Sequence, residues 1–339
     1  MSTSSGILDA VSATEYLQEA RPVPYWRSSH RRLAIQAGMA ILTFFSTTVI
    51  GMRYMYNFHQ GLPPLVTDAD VFPYKWILQN LNHFADGLPF SCTLLGILLC
   101  HEFGHFIYCQ RNNVKATLPY LLPAPTLSGA AGAVIRLRSR IKSRKALLQI
   151  GASGPLFGVI FALPCIFLGL WLSTPMGDLS PAEMDHFRVN SPLLITLIRQ
   201  VVLLFKPDTP PLLHMIPHPI LVASWVGVFI TSLNLLPAGQ LDGGHIVYSL
   251  SPKLHKVCTT ATILLAIAAG TGFWIGWLLW AVLLMMPGMR HPTIKTVGEE
   301  REPGHVSMVA LCGVLFLLTI MLQPFNDTSL IDLIRKFHP

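Results

Sequence analysis

Charged residues are scarce in this chain. Only 12% of its 339 residues are Asp, Glu, Lys or Arg, whereas 52% are hydrophobic and the mean hydropathy is +0.51. A soluble globular chain carries about twice that share of charge. The shortage excludes an ordinary soluble protein and an intrinsically disordered one, and it predicts a protein that crosses a membrane several times.

Paired cysteines are also lacking. The six cysteines lie in or beside apolar stretches, and no two of them form a CxxC pair. This pattern argues against a disulfide framework. Cys100 and Cys109 flank the polar motif described below, but buried free cysteine mostly behaves as a small hydrophobic residue, so we do not assign either as a metal ligand.

The apolar residues fall into runs close to the ~20 residues that a helix needs to cross a bilayer. We therefore predict an all-α polytopic membrane protein with about six or seven transmembrane helices. Residues 257–286, which Gly270 and Gly272 interrupt, fit two tilted spans or a re-entrant hairpin. The predicted spans are 33–51, 91–110, 146–172, 217–236, 257–270, 272–286 and 306–322.

The net charge of +7 follows membrane topology better than a nucleic-acid surface. Basic residues collect before the first span and between the second and third spans, where no acid occurs from Arg111 to Lys145. The loops 52–90 and 173–216 instead mix a few bases with acids, among them Asp68, Asp70, Asp86, Asp178, Glu183 and Asp185. By the positive-inside rule the N terminus is predicted to be cytoplasmic, and no nucleic-acid partner is expected.

The first apolar run is predicted to be an anchor. It begins about thirty residues into the chain, and no small-residue cleavage signal follows it. Because no transit-like leader is evident, we expect a bacterial plasma membrane, with the lipid bilayer as the surrounding partner.

The sequence His101-Glu102-Phe103-Gly104-His105 interrupts the second apolar run. Ionisable groups within a span are costly and indicate function. Residues four apart lie one helical turn apart on nearly the same face, so His101 and His105 can bind one zinc ion. Glu102 would lie beside that ion and could accept a proton from a water molecule, as a general base does. Gly104 removes bulk and allows a neighbouring helix or peptide to approach.

Two histidines do not complete a catalytic zinc site, which typically has three protein ligands and an open position. The candidate third ligand is Asp242, which follows the apolar run 216–236 after Pro237 and Gly239 have interrupted the helix. Unwound backbone at membrane depth is tolerated where it lines a polar cavity. A solvated loop aspartate is the alternative, and the histidine motif favours ligation.

These residues resemble the site-2 protease family of intramembrane zinc metalloproteases. The similarity covers roughly residues 90–250 and includes the glycine-rich stretch Gly151–Gly158 of the third predicted span. The HExxH motif of the family is present as His101–His105. Its NxxPxxxLDG pattern is present as Asn234, Pro237, Leu241, Asp242 and Gly243.

The resemblance implies one zinc ion bound by His101, His105 and Asp242, with Glu102 as the catalytic base. It also implies that the substrates are transmembrane segments of other proteins. Regulated proteolysis of a membrane-tethered anti-sigma factor or transcription factor is the biological role that the family suggests.

The segment between the predicted spans 91–110 and 146–172, the first two helices of the protease core, cannot continue a helix, because Pro119, Pro123 and Pro125 interrupt it. We predict a short β-hairpin or strand at the membrane surface. A protease must unwind a helical substrate, and an exposed strand edge could hold the unwound chain. An ordinary basic loop is the alternative. The candidate clamp residues are Gly132, Ala133, Val134, Ile135, Arg136 and Leu137.

Four further residues near these motifs are expected to have roles other than metal binding. Asn234 could bind the substrate backbone or a developing oxyanion, or it could cap a helix end. His245 is expected to support the site without binding the metal. Gly154 and Gly158 form a small-xxx-small pair, which we assign to helix packing.

Four regions follow from these motifs. They are a cytoplasmic tail at 1–32, the first span with its external loop at 33–90, the protease core at 91–250, and C-terminal helices with a short tail at 251–339. A metal-handling transporter and another membrane metalloenzyme, such as a prenyl-protein protease or a di-metal lipid oxidase, remain the alternatives. A di-metal site needs more histidine clusters than this chain shows, and a transporter has no need of Glu102 as a base.

Overall fold

A computed structural model of the chain describes residues 30–65, 73–177, 189–286, 291–292 and 303–337. The helices are α1 His30–His59, α2 Tyr74–Gln79, α3 Leu88–Arg111, α4 Arg144–Leu172, α5 Leu193–Leu203, α6 Pro219–Asn234, α7 Asp242–Leu250, α8 Pro252–Gly272, α9 Gly276–Met285, α10 Pro303–Thr319 and α11 Leu330–Phe337. The strands are β1 Tyr120–Pro123, β2 Ala130–Val134, β3 Thr174–Pro175 and β4 Met215–Ile216. The mostly helical architecture is as predicted, whereas the small β3–β4 sheet was not foreseen.

Four helices within the described residues are long and apolar enough to cross a membrane. They are α1, α4, α8 and the helical stretch Leu81–Arg111, which includes α3. The protein is therefore an integral membrane protein. The shorter apolar helices α6, α9 and α10 coincide with the other predicted spans. Six or seven spans thus remain a prediction. The interruption expected at Gly270 and Gly272 lies instead at residues 273–275, because α8 continues to Gly272 and α9 starts at Gly276.

The centre of the molecule is formed by α3, α4 and α6, which pack on one another, with α7 against α4. Ile97 of α3, Leu148 of α4 and Val228 of α6 belong to one buried apolar cluster. The helix α4 is continuous although it contains Pro155 and Pro164. This packing brings the histidine motif of α3 against the glycine-rich part of α4.

The predicted hairpin is present, and it packs alongside α1. β1 and β2 pair in antiparallel fashion, with Tyr120 opposite Val134. Gln36 Nε2 donates to the Leu118 carbonyl at 2.8 Å, and Tyr54 Oη donates to the Leu127 carbonyl at 2.6 Å. Gln36 and Tyr54 are separated by about 27 Å along a helix, so the contacts of Leu118 and Leu127 follow that length of α1.

Several predictions concern residues outside the described ranges. Arg21, Arg27, Asp68, Asp70, Asp178, Glu183 and Asp185 lie there. The orientation that their charges indicate, and the four regional boundaries, stay predictions.

Candidate metal centre

Three of the predicted site residues lie together on α3. His101, Glu102 and His105 are 4%, 5% and 6% exposed, and one potential ligand atom from each lies within 4.8 Å of the others. Their helix is otherwise apolar and packs against α4 and α6. Burial of three such groups in one place is costly unless they are hydrogen-bonded or bind a cation.

The orientation of His105 is fixed by a backbone group. Its Nδ1 lies 2.7 Å from the carbonyl oxygen of Ile150 on α4. A carbonyl oxygen only accepts, so Nδ1 carries the proton and Nε2 has a free lone pair. The same oxygen accepts from Ser153 Oγ at 2.8 Å. Sequence reasoning missed Ile150, because a backbone carbonyl leaves no signal in the residue type.

Asp242 completes a triangle with the two histidines. His101 Nε2 lies 3.1 Å from Asp242 Oδ2, His105 Nε2 lies 3.3 Å from Asp242 Oδ1, and the two Nε2 atoms are 3.2 Å apart. Ligands about 2.0–2.1 Å from a tetrahedral zinc ion are separated by about 3.3–3.4 Å. Two imidazoles and one carboxylate at these separations therefore fit one zinc ion.

Glycines of α4 allow the ligands to come this close. A Cβ added at Gly154 would lie 2.1 Å from His105 Nε2, and one at Gly158 would lie 3.2 Å from His101 Cβ. Gly104 on α3 approaches the Ser153 carbonyl in the same way, since a Cβ there would lie 2.6 Å from the oxygen. Gly154 and Gly158 thus have the predicted packing role, and the groups that pack against them are His105 and His101.

The backbone around Asp242 differs in one respect from the prediction. Residues 235–241 are non-helical, as expected, but Asp242 is the first residue of the short helix α7. The helix can restart here because Gly243 has no side chain. A Cβ at this position would lie 2.1 Å from the Leu235 carbonyl oxygen and would clash with it. Asp242 therefore projects from a defined helix start instead of an unwound loop.

Glu102 faces the segment that follows β2. The backbone N–H of Ile135 is directed towards the Glu102 carboxylate. Of the six predicted clamp residues, Gly132, Ala133 and Val134 belong to β2, and Ile135, Arg136 and Leu137 continue from it. Gly132 has φ +128° and open space where a Cβ would be. The hairpin thus leads into the metal centre.

Asn234 is the last residue of α6 and is half-buried. The contacts found among the described residues do not join its amide to the triangle, nor do they show it capping α6, whose C-cap is Leu235. Both of its predicted roles stay predictions.

His245 lies beside the triangle but not in it. Its Nδ1 is 2.9 Å from His291 Nε2, and the His291 ring stacks on Tyr248 with centroids 3.8 Å apart. His291 Nδ1 donates to the Pro292 carbonyl at 2.8 Å, so His291 Nε2 accepts from His245. Burial lowers the pKa of His291 to about 4, which keeps the ring neutral. Sequence reasoning missed His291, because it lies 46 residues beyond its partner.

The amino-acid sequence was compared with known protein families, and the matching family is one of peptidases. The profile of peptidase family M50 matches residues 89–275, more than half of the chain. The chain belongs to peptidase family M50. The matched range contains His101, Glu102, His105, Asp242 and the hairpin.

Similar proteins occur in plants. The probable zinc metalloprotease EGY1, chloroplastic, of Oryza sativa subsp. japonica is 27% identical over 326 residues, which cover 94% of this chain and 54% of that protein. EGY1 of Arabidopsis thaliana is 28% identical over 317 residues, covering 90% and 55%. EGY2 of Arabidopsis thaliana is 27% identical over 301 residues, covering 86% and 51%. The chain thus spans about half the length of these relatives.

Proposed function

We propose that this protein is an intramembrane zinc metalloprotease of the site-2 protease type. It hydrolyses a peptide bond within or near a transmembrane segment of a membrane-anchored protein. The observation that carries the proposal is the triangle of buried His101 and His105 with Asp242, whose side chain is 13% exposed; its ligand atoms are 3.1 to 3.3 Å apart beside Glu102. The names of the EGY relatives, probable zinc metalloproteases, support the same reading.

His101, His105 and Asp242 would hold the zinc ion. When bound, the ion would act as a Lewis acid towards the scissile carbonyl and make a nearby water molecule more acidic. The Ile150 carbonyl keeps His105 in the tautomer that presents Nε2. The protein thereby fixes the orientation of this ligand before any substrate arrives.

Glu102 holds and moves the proton. Its carboxylate takes a proton from the attacking water as oxygen bonds to the carbonyl carbon, and the same carboxyl then gives that proton to the departing amine as the C–N bond breaks. The buried position excludes bulk water from the carboxylate. The Ile135 backbone N–H, which faces the carboxylate, keeps it oriented.

The hairpin holds the substrate. A transmembrane helix hides its peptide bonds in intrahelical hydrogen bonds, so it must be unwound before attack. The edge formed by Gly132 to Leu137 offers backbone groups to the extended chain, as in β-strand addition. Asn234, at the end of α6, offers an amide to the substrate backbone or to the developing oxyanion.

The biological role proposed from the resemblance is regulated proteolysis of a membrane-tethered anti-sigma or transcription factor. The proposed setting is a bacterial plasma membrane with a cytoplasmic N terminus, supported by the acid-free basic segment from Arg111 to Lys145. The relatives named above are chloroplastic. Tags at the N terminus and in the 52–90 loop, tested for accessibility from each side, decide the orientation.

The test of the activity compares purified wild type with Glu102→Gln on a panel of tagged single-span substrates, with bound zinc measured in both. Both proteins should contain about one zinc per chain, and the variant should lose cleavage by at least about a thousandfold. Asp86→Asn is the matched control, because it makes the same change at an exposed carboxylate.

Two outcomes would contradict the proposal. Wild type without zinc removes the metal centre on which the mechanism depends. Zinc-containing Glu102→Gln protein that cleaves like wild type removes Glu102 as the base. Metal uptake into vesicles that persists in Glu102→Gln protein, without cleavage by either form, would instead favour a transporter.

A further inference from the structure

The residues after β2 form an extended segment whose two edges differ. Thr117 N donates to the Arg136 carbonyl at 3.0 Å, and Arg138 N donates to the Lys115 carbonyl at 2.7 Å. Leu137, between them, pairs with Ala116 in an antiparallel bridge. In such a pair, successive residues turn their backbone groups to opposite edges. The N–H and C=O of Leu137 therefore face away from the 115–117 strand.

This outward-facing edge leads to the metal centre. Ile135 lies two residues before Leu137, so its backbone groups turn to the same edge. The Ile135 N–H faces the Glu102 carboxylate, in agreement with that direction. Ile135 is half-buried, and Leu137 is 38% exposed. The edge thus runs outward from the proposed base to the surface.

Basic side chains occupy every second position along this segment. Arg136, Arg138, Arg140 and Lys142, here called the basic row, are all exposed. On an extended strand, residues two apart point to the same face, as Arg136 and Arg138 do. Among the ion pairs of the described residues, none involves the basic row. The sequence from Arg111 to Lys145 contains no Asp or Glu that could neutralise it.

Membrane topology alone does not require this arrangement. The positive-inside rule is satisfied by basic residues anywhere in a short loop. It requires neither alternate spacing nor a position on the strand that continues from Ile135. Both features are what recognition of an adjacent extended chain requires, because same-face side chains on neighbouring strands lie about 5 Å apart.

We propose that the basic row binds carboxylate side chains of the substrate as its unwound chain lies along the 135–137 edge. The inference rests on the proposed protease function and adds a substrate class to it. The preferred substrates carry Asp or Glu at alternate positions in the flank next to the cleaved bond. Guanidinium groups suit this role because they stay charged and pair with carboxylates through two hydrogen bonds.

The experiment uses the zinc-loaded full-length protein and three tagged single-span substrates that differ only in this flank. The flanks are Glu-Ser-Glu-Ser-Glu, Gln-Ser-Gln-Ser-Gln and Lys-Ser-Lys-Ser-Lys. Wild type should prefer the acidic over the neutral flank about fivefold to tenfold in kcat/KM, mainly through KM, and the preference should shrink with added salt. In R136Q/R138Q protein the preference should fall to about twofold or less.

A charge-reversed enzyme tests the pairing directly. R136E/R138E protein should prefer the Lys flank over the Glu flank, which a merely misfolded variant cannot do. The matched control is K253Q/K256Q, which removes two exposed bases at the start of α8 and should keep the acidic preference of wild type.

Three results would overturn the inference. Equal cleavage of all flanks by wild type removes it while leaving the protease function intact. Dependence on anionic lipid in vesicles, with no dependence on the substrate flank, assigns the basic row to lipid headgroups. Cleavage of no substrate by wild type contradicts the proposed function itself, and this inference then fails with it.

Discussion

The ligand triangle and the 135–137 edge both adjoin Glu102, but they differ in how they are built. Both histidines of the triangle are buried, its atoms are 3.1 to 3.3 Å apart, and His105 is fixed by the Ile150 carbonyl. The edge turns its backbone groups away from residues 115–117 and ends in exposed basic side chains. Catalytic chemistry needs groups fixed within a fraction of an ångström, whereas a chain that accepts varied substrates needs open backbone groups.

The largest effect is expected from closing the space in which the triangle packs. Gly154→Ala places a Cβ 2.1 Å from His105 Nε2, and neither the ring nor the α4 backbone can move far in this packing. We expect loss of bound zinc and a fall in cleavage of at least about a hundredfold. Zinc content of the purified variant, measured beside its cleavage rate, checks this.

Gly313→Ala is the matched control, because no atom lies within 4 Å of a Cβ at that position of α10. Alanine is also the better helix former there, by ~1 kcal/mol. A Gly154→Ala protein that keeps zinc and activity like this control would show that the triangle is not confined by α4.

A smaller effect is expected at the edge. Leu137→Pro removes the N–H that faces outward, while the neighbouring bonds of Arg136 and Arg138 to the 115–117 strand can remain. Loss of one backbone hydrogen bond to the substrate should reduce kcat/KM about tenfold, with zinc content unchanged.

Leu137→Ala provides the comparison, because it shortens the side chain but keeps the N–H. The ratio of kcat/KM between the two variants isolates the backbone group. Equal values for both variants would mean that the substrate does not pair with this edge. The 135–137 edge would then not be the open counterpart of the closed metal centre.

The sequence was enough to select the candidate ligands, because that selection depends on side-chain types at fixed spacing. His101 and His105 are one turn apart on a helix, and the break after Asn234 pointed to Asp242; the structure brings all three together. The hairpin was also predictable from its prolines and glycines, although its depth along α1 was not. That depth depends on contacts such as Tyr54 with Leu127, which are 73 residues apart.

Backbone groups and distant partners could not be predicted. The Ile150 carbonyl that orients His105 has no signature in the sequence, and the roles of Gly154 and Gly158 became specific only when α4 was placed against α3. The restart of the helix at Asp242 likewise depends on the approach of the Leu235 carbonyl to Gly243. Tertiary packing decided each of these features.

The smallest effect is expected at His291, which contacts the centre through His245. His291→Ala removes the acceptor for His245 Nδ1 and the ring that stacks on Tyr248. Because α7 carries both His245 and Asp242, looser packing there should shorten the half-time of zinc loss to a chelator about threefold to fivefold. His291→Gln keeps an acceptor and should recover part of the loss. His214→Ala, a change at an exposed histidine, should match wild type. If His291→Ala also matches wild type, His291 does not contribute to the rigidity of the centre. That rigidity then comes from the triangle and its α4 neighbours alone, which separates the centre more clearly from the open edge.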